Sequence, residues 1–146
     1  GFESNTLQIK KKYEFFSKKN ILKIKISKKK IDIINKLKKD YYIAIFTSKS
    51  KKRTNLIIKN LKIFDFIVTA DDVSMGKPNP EGINKILKNF KVKKKDTFYL
   101  GDSSYDYNAC KSAKIKYFHA KWGYGKDLEK NKKIKIIKNF DDLLKI

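Results

Sequence analysis

From residue 41 onward, compact apolar runs alternate with lysine-rich amphipathic stretches, and few architectures accept that order. "YYIAIF" is the kind of run expected for a strand covered on both faces, and "DFIVTA", "TFYL" and "IKYFHA" repeat it. Between them lie helical patterns: "KKRTNLIIKNLK", "EGINKILKNF", and a stretch opening near Tyr105. A "WGYG" loop and a last predicted helix, "FDDLLKI", close the chain. Strands that alternate with helices predict a parallel sheet built from βαβ units, an α/β fold. Upstream, Ser27 is the expected N-cap of "KKKIDIINKLKKD", where Ile31, Ile34 and Leu37 form one face. "TLQIKKKYEFFSKK" carries Leu7, Ile9, Tyr13 and Phe16 at helical spacing, and "ILKIKI" reads as a short strand or the lead into the next helix. With no internal repeat and no Pro/Gly/Ser-rich linker, residues 1–146 are expected to form one domain.

In open α/β sheets, ligands collect beyond the C-terminal ends of the strands. The polar clusters of this chain fall at those ends. Thr47 and Ser48 follow "YYIAIF", Asp71 and Asp72 follow "FIVTA" with Lys77 a few residues on, and Asp102 follows "TFYL" with Asp106 four residues later. This set suits a phosphoryl group. Hydroxyls and helix amides after Thr47 can hold its oxygens, and Lys77 can neutralise its charge. Asp102 can ligate Mg²⁺, which takes oxygen ligands and keeps several waters, while Asp106 orients a bound water or ligand from behind. Singly, each residue has a plainer reading. Thr47 or Asp102 would serve as a helix cap, Asp71 and Asp72 as loop residues, and His119 and Cys110 as core. Trp122 and Tyr124 would pack a loop or edge a pocket. What the set lacks is a nucleophile, or a base to activate water.

Composition removes several other classes. No run of about 18 apolar residues exists to cross a membrane. The single cysteine excludes an internal disulfide and fits a reducing cytoplasm, and one histidine with one cysteine cannot make a Cys/His metal site. The net charge of +22 would ordinarily suggest nucleic acid, yet Arg53 is the only arginine among 37 basic residues. Readers of phosphate and guanine geometry favour the arginine fork, so a solvated lysine coat is expected instead, with no nucleic-acid partner.

In order and spacing, three of these segments resemble the haloacid dehalogenase superfamily, in particular its phosphoglycolate-phosphatase-like branch. "IAIFTSKS" looks like the second motif with Thr47 as its hydroxyl, "GKPNP" like the third with Lys77, and "GDSSYDYNACKSAKI" like the fourth with Asp102 and Asp106. "WGYG" is also common in that branch. The resemblance runs from about residue 28 to the C-terminus. It implies a three-layer Rossmann-like core over 28–146, a reduced helical cap near 1–27, and Mg²⁺-dependent phosphoryl transfer through an aspartyl-phosphate. A small phosphorylated metabolite would be the substrate.

The resemblance also implies a first motif, Asp-x-Asp, on a central strand, and none occurs upstream of Thr47; the carboxylates there are Glu3, Glu14, Asp32 and Asp40. "GFES" looks like a shortened continuation of that motif, and the sole methionine is Met75, so the nucleophile is expected before Gly1. Leaving out a central strand would strand buried backbone groups on both neighbours. The alternative is a non-catalytic binding or regulatory domain that kept the fold and lost the nucleophile. Neither the oligomeric state nor the particular phosphate ester can be read from the chain.

Overall fold

The computed structural model describes Asn20, Ile24, and residues 26–59 and 61–146. The helix expected within residues 6–19 and most of the proposed cap therefore lie outside the described residues. The element order is α1 (Lys28–Leu37), β1 (Ala44–Phe46), α2 (Lys51–Ile58), β2 (Phe66–Val68), α3 (Glu81–Phe90), β3 (Phe98–Gly101), α4 (Ser104–Ala113), β4 (Lys116–Ala120) and β5 (Lys135–Ile137). Short 3₁₀ turns occupy Ala70–Asp72, Lys94–Asp96 and Phe140–Lys145.

All pairings are parallel, as the alternation predicts, but among the described residues they form two sheets. β1 pairs with β2, and β4 lies between β3 and β5. Side chains tie the first sheet to the second: the Tyr99 hydroxyl of β3 donates to the Phe46 carbonyl of β1 at 3.0 Å. β5 has no counterpart among the elements expected from the sequence. Its segment "KIKII" sits in a lysine-rich stretch with too short an apolar run, and it becomes a strand by adding to the edge of β4. The last element is likewise a 3₁₀ turn rather than an α-helix, entered through the Asn139 N–H donating to Asp142 Oδ2 at 3.0 Å.

Local chemistry accounts for the boundaries. The Ser27 hydroxyl accepts the Lys30 N–H at 3.4 Å and starts α1 as expected. The expected face of α1, Ile31, Ile34 and Leu37, is half-buried, and Ile33 beside it is buried at 4% exposure. α1 packs on the C-terminal 3₁₀ turn, where Lys29 pairs with Asp141 at 2.8 Å. Strand β1 is shorter than its apolar run because Tyr41 and Tyr42 precede it on the surface. Helices α3 and α4 cover the β1, β2, β3 and β4 strands. The small inner residues of α4, Ala109, Cys110 and Ala113, meet Ile83 and Leu87 of α3 and the strand residues Phe46 and Val68 in the main core. Gly82 lets α3 approach β1, because a Cβ there would fall inside the Phe46 ring. Among the described residues no helix is long and apolar enough to cross a membrane.

Candidate active site

The strand ends deliver the side chains the sequence singled out, and the loop after β2 brings Lys77 back across them. Lys77 is the hub. Its Nζ donates to Asp106 Oδ1 at 2.7 Å, to Tyr99 Oη at 3.2 Å and to the Phe46 carbonyl at 3.3 Å. Its side chain is 11% exposed and that of Asp106 is 6% exposed, so this ion pair is screened little by solvent. The ammonium also stands 5.1 Å from the centroid of the Phe46 ring. Because the Phe46 carbonyl belongs to the peptide leading into Thr47, the contact joins the third segment to the second.

Asp106 has both oxygens committed to protein donors. Oδ1 takes Lys77 and lies 3.1 Å from the Tyr99 hydroxyl, whose single proton it shares with the Phe46 carbonyl. Oδ2 takes the Ser103 hydroxyl at 2.6 Å and the N–H groups of Ser103 and Asp102 at 3.2 and 3.3 Å. Burial pushes its carboxyl up, but the hydrogen bonds from Lys77 and Ser103 and the Lys77 charge outweigh burial and hold it below the usual range. Burial, then the Asp106 charge, drives the Tyr99 hydroxyl far above its ordinary value, so it stays a neutral O–H. Ser103, not Asp102, is the N-cap of α4, and with Asp106 it completes a reciprocal capping box. Gly101 leaves the room Asp106 needs, since a Cβ there would come 2.6 Å from the Asp106 Cβ.

Asp102 is half-buried at the end of β3, and its Oδ2 accepts the Tyr124 N–H at 2.8 Å. The "WGYG" loop wraps this residue so closely that a Cβ on Gly123 would overlap its carboxylate and one on Gly125 its carbonyl oxygen. Trp122 and Tyr124 stay exposed, with Trp122 against the Phe140 ring. Among the described residues no three His, Cys, Asp or Glu side chains converge. Among the described side chains at this rim, Asp102 is then the carboxylate left to meet a hard cation, since Asp106 is spent. An Asp oxygen is the kind of ligand Mg²⁺ takes, so Asp102 would suit as one of its ligands.

At the other strand ends, Thr47 is not a helix cap: its Oγ1 accepts the Lys49 N–H at 3.2 Å, and α2 begins at Lys51 under a Ser50 cap. Ser48 is exposed beside it. Asp71 is more than a loop residue, because its Oδ2 takes the Lys51 N–H at the start of α2 at 2.8 Å. Asp72 closes the turn on the Thr69 hydroxyl at 2.6 Å. His119 is fully buried, its Nδ1 3.1 Å from the Tyr117 hydroxyl, and Cys110 is fully buried in the core, where burial pushes its thiol up to about 12. Tyr99 and Ser103 were missed from the sequence. Ser103 stands three residues before Asp106 in capping-box spacing, a legible signal; Tyr99 sits inside an apolar strand and carries none.

A parallel α/β fold with a buried lysine–carboxylate pair at its strand ends defines a Rossmann-like protein with a polar site at its rim. More particularly, the chain belongs to the haloacid dehalogenase-like hydrolase family, whose profile matches residues 2–120. Pyrophosphatase PpaX of Bacillus mycoides is 33% identical over 95 residues, covering 62% of this chain and 44% of that protein. The aligned stretch thus spans less than half the length of that curated relative. A solved protein of Haemophilus somnus, titled a "predicted phosphoglycolate phosphatase", superposes with a TM-score of 0.80 at 23% identity, covering 93% of this chain and 64% of that one. A HAD-superfamily hydrolase from Ehrlichia chaffeensis superposes with a TM-score of 0.64 at 27% identity, covering 77% and 53%.

Proposed function

We propose that this chain carries the phosphate-holding part of a Mg²⁺-dependent phosphatase working through an aspartyl-phosphate, the attacking carboxylate lying on an Asp-x-Asp segment outside the 146 residues. The observation that carries the reading is one line of contacts. It runs from the peptide before Thr47, through Lys77 and Asp106, to the backbone of Asp102. The Thr47 hydroxyl, which accepts from Lys49, keeps its proton to donate to a phosphate oxygen, and Ser48 lies beside it. Lys77 supplies buried positive charge opposite the phosphate and the attacking carboxylate. Asp102 spends one oxygen on Tyr124, and the second is the one a cation would take. Mg²⁺ there would neutralise charge on the phosphate oxygens. Asp106 holds Lys77 rather than the metal. A small phosphorylated metabolite suits this rim, and the names of the curated relatives make pyrophosphate the first substrate to try.

The test uses the purified chain with Mg²⁺. Orthophosphate should bind and displace with salt, and Asp102→Asn or Lys77→Met should weaken it at least tenfold, the scale of a lost charge-assisted contact. Release of phosphate from pyrophosphate or an aryl phosphate should be absent until the upstream segment is supplied. Turnover by the chain alone, abolished in Asp102→Asn, would show that a carboxylate among these residues attacks. Failure of the folded chain to bind orthophosphate would overturn the reading.

A further inference from the structure

An ammonium has three protons, and Lys77 has three protein acceptors for them. To reach a phosphate oxygen at the rim it must release one. Among the described residues Asp106 is its shortest and only charged partner, and leaving that carboxylate buried and unpaired is the costliest choice. The Phe46 carbonyl is the longest contact, at 3.3 Å, and it lies at the end of β1, nearest the rim. Releasing it is cheap only if another donor keeps that carbonyl satisfied. The Tyr99 hydroxyl stands 3.0 Å away and can do so by turning its one proton there from Asp106 Oδ1, 3.1 Å off. Asp106 keeps Lys77 as its donor, while the hydroxyl accepts an N–H from Lys77 on its lone pairs.

We propose that Tyr99 is the positioning residue for Lys77: its hydroxyl accepts from the ammonium and turns its one proton from Asp106 to the Phe46 carbonyl, so Lys77 can exchange that carbonyl for a phosphate oxygen without orphaning it. The proposal rests on the phosphate-binding reading above. Tyr99 lies two residues down β3 from the strand end, so removing its hydroxyl frees an ammonium proton that points into the core rather than at the rim. The same removal leaves Lys77 as the side-chain donor to Phe46 among the described residues, which pins it there.

The experiment measures orthophosphate affinity with Mg²⁺ for the full chain, and follows its lysine ammonium ¹⁵N signals. Lys77 is the signal lost in Lys77→Met. In wild type that signal moves when orthophosphate is added. Tyr99→Phe should keep the circular dichroism and cooperative melting of wild type, bind orthophosphate about fivefold to tenfold more weakly, as for one lost hydrogen bond, and show a smaller Lys77 displacement. Replacing Tyr99 by 4-aminophenylalanine, which keeps a donor on the ring but accepts poorly, should recover part of both. A Tyr99→Phe protein with wild-type affinity and displacement overturns the proposal alone. So does a 4-aminophenylalanine protein that melts normally yet binds as weakly as Tyr99→Phe, and this variant decides the matter if Tyr99→Phe does not fold. Wild type that binds no orthophosphate overturns the phosphate reading and the proposal with it.

Discussion

Lys77 and Asp106 form a buried pair whose members depend on each other. Removing one leaves the other charged and desolvated, which typically costs about 3–5 kcal/mol. The acid limb of stability tests this. The folded Asp106 carboxyl lies below its ordinary 3.8. A lowered value contributes stability that is complete above the ordinary value and is lost as pH falls through the folded one. Lys77→Met removes the hydrogen bond and the charge that together oppose burial most, so the carboxyl is expected to rise and acid to relieve the variant. The Tm difference between wild type and Lys77→Met should therefore be large at neutral pH and begin to shrink as pH falls through the variant's raised carboxyl. It should go on shrinking below the ordinary 3.8 as wild type loses its own contribution. A difference independent of pH would mean the two groups are not coupled. Of the residues concerned, Thr47, Lys77, Asp102 and Asp106 were legible because each sits in a short segment with turn and strand-end chemistry. Tyr99 was not, because a tyrosine in an apolar strand looks the same whether its hydroxyl reaches solvent or a buried carbonyl.

At the level of elements, α4 links stability to the site. Its N-cap Ser103 accepts the Asp106 N–H at 3.2 Å and donates to Asp106 Oδ2, so one residue both starts the helix and orients the carboxylate that holds Lys77. Ser103→Ala should cost about 1 kcal/mol in urea denaturation, the ordinary loss of a cap. It should also weaken orthophosphate binding, whereas Ser27→Ala at the cap of α1 should cost similar stability and leave binding alone. Equal effects on binding would separate Asp106 orientation from the cap. The helices α3 and α4 were readable from their periodicity and caps. Strand β5 and the final 3₁₀ turn were not, since an edge strand of three residues is specified by the backbone of β4 more than by its own side chains.

Across the whole molecule the net charge of +22 is largely unpaired, because the ion pairs among the described residues engage few of the lysines. Such a surface repels itself and attracts anions, and both effects are screened within about 10 Å at 0.1 M salt. Raising NaCl from about 10 to 200 mM should therefore raise the Tm while weakening orthophosphate binding. A Tm that falls with salt would show that attractive pairs outweigh the repulsion. Sequence alone determined the α/β alternation, the family and which strand ends carry hydroxyl, ammonium and carboxylate, because periodicity and short turn motifs are local. Tertiary structure alone decided that the strands group into two parallel sheets tied by Tyr99 and Lys77, that Asp106 serves Lys77, and that the glycines of the "WGYG" loop close over Asp102. Those outcomes rest on hydrogen bonds between residues far apart in the chain, whose partners no local pattern encodes.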